Sequence, residues 1–141
     1  MAHTSESRVK GILNRRVRIS VSEPFEFSSP KGGASLWGKV RAISSDFSEG
    51  GCLWIELDEG IEWEGMRSAH VLASPRHEES EIGELLTEGM LIVNIGLVPN
   101  EIIAKLPASP LPTDIRELYE LAGRGSSISF AFVGAVFLAK P

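Results

Sequence analysis

In one stretch of this chain after another, apolar residues recur at every second position, with turn-forming residues between the stretches. That period commits most of the chain to β-strands. Val17, Ile19 and Val21 alternate with Arg16, Arg18, Ser20 and Ser22, and Glu23-Pro24 ends the pattern. A loop by composition, Ser28-Ser29-Pro30-Lys31-Gly32-Gly33, leads to a second strand from Leu36 to Ile43. Its Leu36, Gly38, Val40 and Ala42 share one face, and Trp37, Lys39, Arg41 and Ile43 the other. In Cys52 to Asp58, Leu53, Ile55 and Leu57 oppose Trp54, Glu56 and Asp58. Pairing these two strands antiparallel sets Lys39 and Arg41 against Glu56 and Asp58, and Trp37 near Trp54.

Asp58-Glu59-Gly60 reads as a tight turn, after which Ile61 and Trp63 alternate with Glu62 and Glu64. A strand from Arg67 to Ser74 precedes Pro75. From Arg76 to Gly89 the chain is a polar, acidic connector, where Ile82, Leu85 and Leu86 outline a short amphipathic turn. Met90 to Val98 is apolar on both faces, which places it centrally in a sheet, and Glu101 to Leu106 reads as a further strand. Pro107, Pro110 and Pro112 stiffen the approach to one helix, about 113–122. Thr113 suits its N-cap, Ile115, Leu118, Tyr119 and Ala122 form its apolar stripe, and Gly123 terminates it. Finally, large and small residues alternate from Ser126 to Ala139, which predicts a long buried strand.

The expected fold is mainly β, a small SH3-like or twisted barrel or sheet with that one short helix. Leu36-Trp37-Gly38-Lys39-Val40-Arg41-Ala42-Ile43 and the hairpin after it resemble small SH3-like and related barrels over about half the chain. The resemblance implies an architecture and carries no functional motif. Residues 1–10 read as a flexible tail and 11–141 as one β-rich domain, with 11–75 and 90–141 as candidate sub-structures. The single cysteine, Cys52, excludes an internal disulfide framework and suits a reducing compartment. Met1 to Ser7 has no apolar core, so no secretory signal is read there, and the expected location is the cytoplasm. Ile128 to Ala139 is too short for a spanning helix, so no membrane partner is expected.

Charge is uneven along the chain. Residues 1–45 carry a balance of +5 and residues 46–90 one of −10, while the remainder cancels. The acidic middle disfavours phosphate contact and favours a basic partner. Arg8, Lys10, Arg15, Arg16 and Arg18 form a basic stretch with no aromatic residue interleaved in the sequence.

Catalytic signatures are absent: the chain has no phosphate-binding glycine loop, no paired cysteine ligands and no nucleophile elbow, and no cofactor is implied. His70 and His77 straddle Pro75 and do not converge as metal ligands. Ser74-Pro75-Arg76-His77-Glu78 reads first as a turn closing the sheet, with Arg76 paired to a nearby acid.

The leading expectation is a non-catalytic interaction domain, adaptor- or inhibitor-like. It would hold a basic protein through Trp37, Trp54, Glu56, Glu62, Trp63, Glu64, Arg76 and His77. A nucleic-acid-binding barrel using Arg15, Arg16, Arg18, Lys39 and Arg41 is the alternative, and the sequence pI of about 5.2 counts against it. An enzyme with a site near Arg76 and His77 comes next, and a symmetric homodimer through apolar strands is compatible with the first two.

Overall fold

The computed structural model describes residues 11–23, 35–44, 50–63, 66–98 and 132–139, together with positions 100, 104, 115, 117 and 118. The alternating stretches become strands β1 (Arg16–Glu23), β2 (Ser35–Ser44), β3 (Cys52–Trp63), β4 (Met66–Pro75), β5 (Met90–Val98) and β6 (Phe132–Leu138). They run in chain order around a closed antiparallel barrel, and β6 returns to pair with β1. Closure leaves no sheet edge to protect. Among the described residues, no helix is long and apolar enough to cross a membrane.

Inward-facing residues fill the barrel: Val17, Ile19, Val40, Leu53, Ile55, Val71, Val93 and Ile95 belong to one buried cluster. Ile12, Ile82 and Leu85 join it from outside the strands. Backbone bonds fix two of the segments that carry them. The Asn14 amide donates to Val40 O at 2.7 Å, and the Ile82 amide donates to Gly50 O at 2.8 Å. The short helix α1 (Glu84–Glu88) starts behind Gly83 and ends at Gly89, whose φ of 76° is the left-handed conformation that stops a helix. Gly83 lies at the helix boundary, so it does not interrupt the helix.

A second apolar layer lies on the barrel's outside. Ala42, Cys52, Trp54, Leu72 and Val98 are buried yet stand apart from the interior cluster, as do the helical residues Ile115 and Leu118. Trp54 pairs with Ala42 and Leu72, and Leu72 pairs with Gly96, so these positions cross adjacent strands on one face. Ile115 and Leu118 fall within the predicted helix, while Thr113, Tyr119, Ala122 and Gly123 lie outside the described residues.

Several sequence expectations are corrected. Asp58-Glu59-Gly60 is not a turn: β3 continues to Trp63 and pairs Glu62 with Arg67 and Trp63 with Met66. The extra residues are absorbed by a bulge between Glu56 and Ile61, and Gly60 lacks the positive φ that a tight hairpin needs there. Trp37 and Trp54 are not neighbours: the register that pairs Gly38 with Leu57 and Lys39 with Glu56 leaves Trp37 at the Asp58 end of β3, while Trp54 stands opposite Ala42. The predicted strand at 101–106 lies outside the described residues except at Ala104, which is in a turn. Asn100 is helical, and the Ala104 amide donates to Asn100 O at 3.0 Å. Residues 126–131 likewise lie outside the described residues.

Closure is tight at β6. A Cβ on Gly134 would run into the Ser20 carbonyl oxygen of β1 and sit 3.0 Å from Ile95 Cδ1. Gly134→Ala is therefore expected to cost about 1–3 kcal/mol, read as a lower urea midpoint. Gly60→Ala, whose new Cβ would come no closer than 3.5 Å to Ser68 O, should change the midpoint little.

Candidate functional site

Closing the barrel through β1 and β6 assembles an exposed row from residues far apart in sequence. Met90 pairs with Phe137, Phe137 with Arg18, and Arg18 with Trp37, giving one continuous cross-strand row over β5, β6, β1 and β2. Its two ends, Met90 at 39% and Trp37 at 44% exposure, are the exposed large hydrophobics of the described residues. The Arg18 guanidinium lies 4.3 Å from the Phe137 ring centroid, and that of Arg16 lies 5.5 Å from the Trp37 ring. Both are within cation–π range, which holds the rings and the arginines in place. Arg16 is fixed further by a two-pronged contact with Asp58, at 3.0 and 2.8 Å. The basic stretch therefore does have aromatic neighbours, supplied by β2 and β6.

The neighbouring row runs inward from this face. Arg16 pairs with Lys39, Lys39 with Glu56, Glu56 with His70, and His70 with Val98. Glu56 Oε1 is 3.8 Å from Arg41 Nε, and its Oε2 is 3.7 Å from His70 Nε2. His70 packs against Trp54 at 6.0 Å between ring centroids, and its buried Nδ1 has no hydrogen-bond partner. Burial lowers the His70 pKa; Glu56 opposes that shift and Arg41 adds to it. An uncharged imidazole in the second apolar layer follows.

The expected partner-binding residues separate. Trp37 is exposed, whereas Trp54 is 2% exposed and belongs to the second layer, where no partner reaches it. Glu56 serves Arg41 and His70, and Glu62 lies 3.8 Å from Arg67. These acids are interleaved with cations, so no uninterrupted acidic strand face forms. The Trp63 side chain and Glu64 lie outside the described residues. Arg76 donates to Asn94 Oδ1 at 3.0 Å and pairs with no acid among the described residues, and its amide donates to Ile92 O. His77 is exposed in the turn, where its carbonyl accepts from the Ser80 amide. Arg76 and His77 thus close β4 onto β5, and neither is near Trp37 in the strand order.

Cys52 is buried, and desolvation pushes its thiol up to about 12, which leaves it protonated and unreactive at neutral pH. Among the described residues no group of three or more His, Cys, Asp or Glu could hold a metal ion. Comparison with known proteins finds no matching family model, no matching curated protein and no matching solved structure.

The His70 environment has a pH consequence. The unfolded chain takes up a proton near the ordinary value of 6.5, while the folded chain does so only at lower pH. Stability attributable to this residue is complete above that value. It falls as the pH drops from there through the folded pKa, and then levels off. Urea midpoints between pH 8 and pH 4.5 should show this loss in the native chain and a flatter profile in His70→Gln.

Proposed function

We propose that this barrel is a non-catalytic protein-interaction module that docks through the Met90–Phe137–Arg18–Trp37 row. The observation that carries the reading is that both exposed large hydrophobics terminate one cross-strand row whose middle is an arginine stacked on phenylalanine. Aromatic residues, methionine and arginine are the side chains enriched where interface energy concentrates. They bring large area at small entropic cost here, because the Arg16–Asp58 contact and the ring stacking already restrict them.

This reading keeps the interaction class and changes the face. A basic partner drawn to Glu56 and Glu62 would have to displace Arg41 and Arg67 from them. The nucleic-acid reading is favoured by one observation, the stacking of cations beside Trp37 and Phe137. Against it stand the net charge of −5 and the capture of Arg16 by Asp58.

A benzophenone amino acid placed at Trp37, with one at Glu79 as control, separates these readings in living cells. Protein adducts from position 37 and none from position 79 are the expected result. Nucleic-acid adducts from position 37, or adducts from position 79 alone, would overturn the proposal.

A further inference from the structure

We infer that the row's partner is a second copy of this chain, in a symmetric dimer that reverses the row against itself. The inference rests on the docking row proposed above. A twofold axis running along the strands through the middle of the row, between Phe137 and Arg18, sets four pairs face to face. Met90 meets the partner's Trp37, Phe137 meets the partner's Arg18, and the same two contacts recur on the other side of the axis. A thioether on an indole and a guanidinium on a phenyl ring are both favourable contacts. An isologous interface requires this self-complementarity.

Charge beside the row agrees with the same axis. This symmetry keeps each flanking row on its own side and exchanges its ends. On one flank Arg16 pairs with Lys39 at the Trp37 end. At the Met90 end of that flank lies Glu88, two residues before Met90 and exposed. There Gly89 O accepts from the Leu138 amide, and the Ala139 amide donates to Arg16 O, so the flank is continuous from α1 to β2. Lys39 therefore faces the partner's Glu88, and neither forms an ion pair with another described residue of its own chain. On the other flank Ile92 pairs with Ala135 and Ala135 with Ser20; two of these three are small and allow the barrels to approach. The alternative axis, along the row, would set Arg18 against the partner's Arg18, which like charge disfavours, and would exchange the flanks, taking Lys39 away from the partner's Glu88.

Four side chains on a convex barrel cover less than the roughly 800 Å² per partner of a standard interface, so the dimer is weak and concentration-dependent. Sedimentation equilibrium of the full chain should show dimer building up between roughly 10 µM and 1 mM. Trp37→Glu and Met90→Lys should each remove it with unchanged circular dichroism. Lys39→Glu and Glu88→Lys should each weaken association at least fivefold, and the double exchange should restore it. A monomer at 1 mM, dimers indifferent to Trp37→Glu, or a double exchange that restores nothing would overturn the inference. Failure here is distinguishable from failure of the docking row. A monomer whose position-37 adducts contain a different protein removes the second copy and leaves the row, whereas no adduct at position 37 removes both.

Discussion

The pairing of β1 with β6 is the contact on which the other features depend. It joins Val17 to Leu138, Ile19 to Val136 and Val21 to Gly134, so a strand near one end of the chain is completed by a strand near the other. Without it the structure would be a six-stranded sheet with two open edges and an apolar face partly in water. With it, Ile19, Val136 and Ile95 share a dry interior. The cost is paid at Gly134, where β6 comes so close to β1 that a side chain has no room. The same pairing brings Phe137 beside Arg18, so closure and the exposed row have one origin.

Bulges decide which residues become core and which become surface. A strand alternates strictly, so an extra residue switches the face of everything after it. At Arg41 the extra residue turns Ala42 outward into the second layer and Ile43 inward into the barrel. The bulge between Glu56 and Ile61 lets β3 leave its register with β4 while Leu57 still pairs with Gly38. Asp58 lies on this stretch and reaches Arg16, two strands away. Local irregularity in two strands thus adds Ala42 to the buried outer layer and places Asp58 where it fixes the arginine beside Trp37.

Much of this architecture is legible in the sequence because period two is a strong signal. Val17–Val21, Leu36–Val40, Leu53–Leu57 and Met90–Val98 all read as strands, and the Lys39–Glu56 pair follows from matched charge. The bulges are not legible, because Arg41 and Asp58-Glu59-Gly60 have ordinary strand or turn composition. Missing the second produced the false turn at Gly60, whereas the false proximity of Trp37 and Trp54 is an error of register, since pairing Lys39 with Glu56 separates them with or without a bulge. The exposed row is hidden for another reason. Its members Arg18, Trp37, Met90 and Phe137 are never close in the chain, so only the closed register brings them together. The lack of aromatic residues around Arg15–Arg18 in the sequence says nothing about the neighbours those arginines acquire across strands.

Counting charge by segment misleads in the same way. The −10 balance of residues 46–90 suggests a strongly acidic surface, and β3 supplies Glu56, Asp58 and Glu62 to it. The closed sheet brings basic residues of β1, β2 and β4 to each of them: Arg41 to Glu56, Arg16 from two strands away to Asp58, and Arg67 to Glu62. These are exposed pairs in high dielectric, so they add little to stability. Their effect is on recognition. Each pair lowers the field that a distant charged partner would sense near β3, while Glu78, Glu79, Glu81 and Glu88 stay exposed elsewhere; under the docking proposal, selective contact falls to the surface where the cations lean on rings. Under that proposal, specificity comes from apolar area placed between fixed arginines and not from net charge.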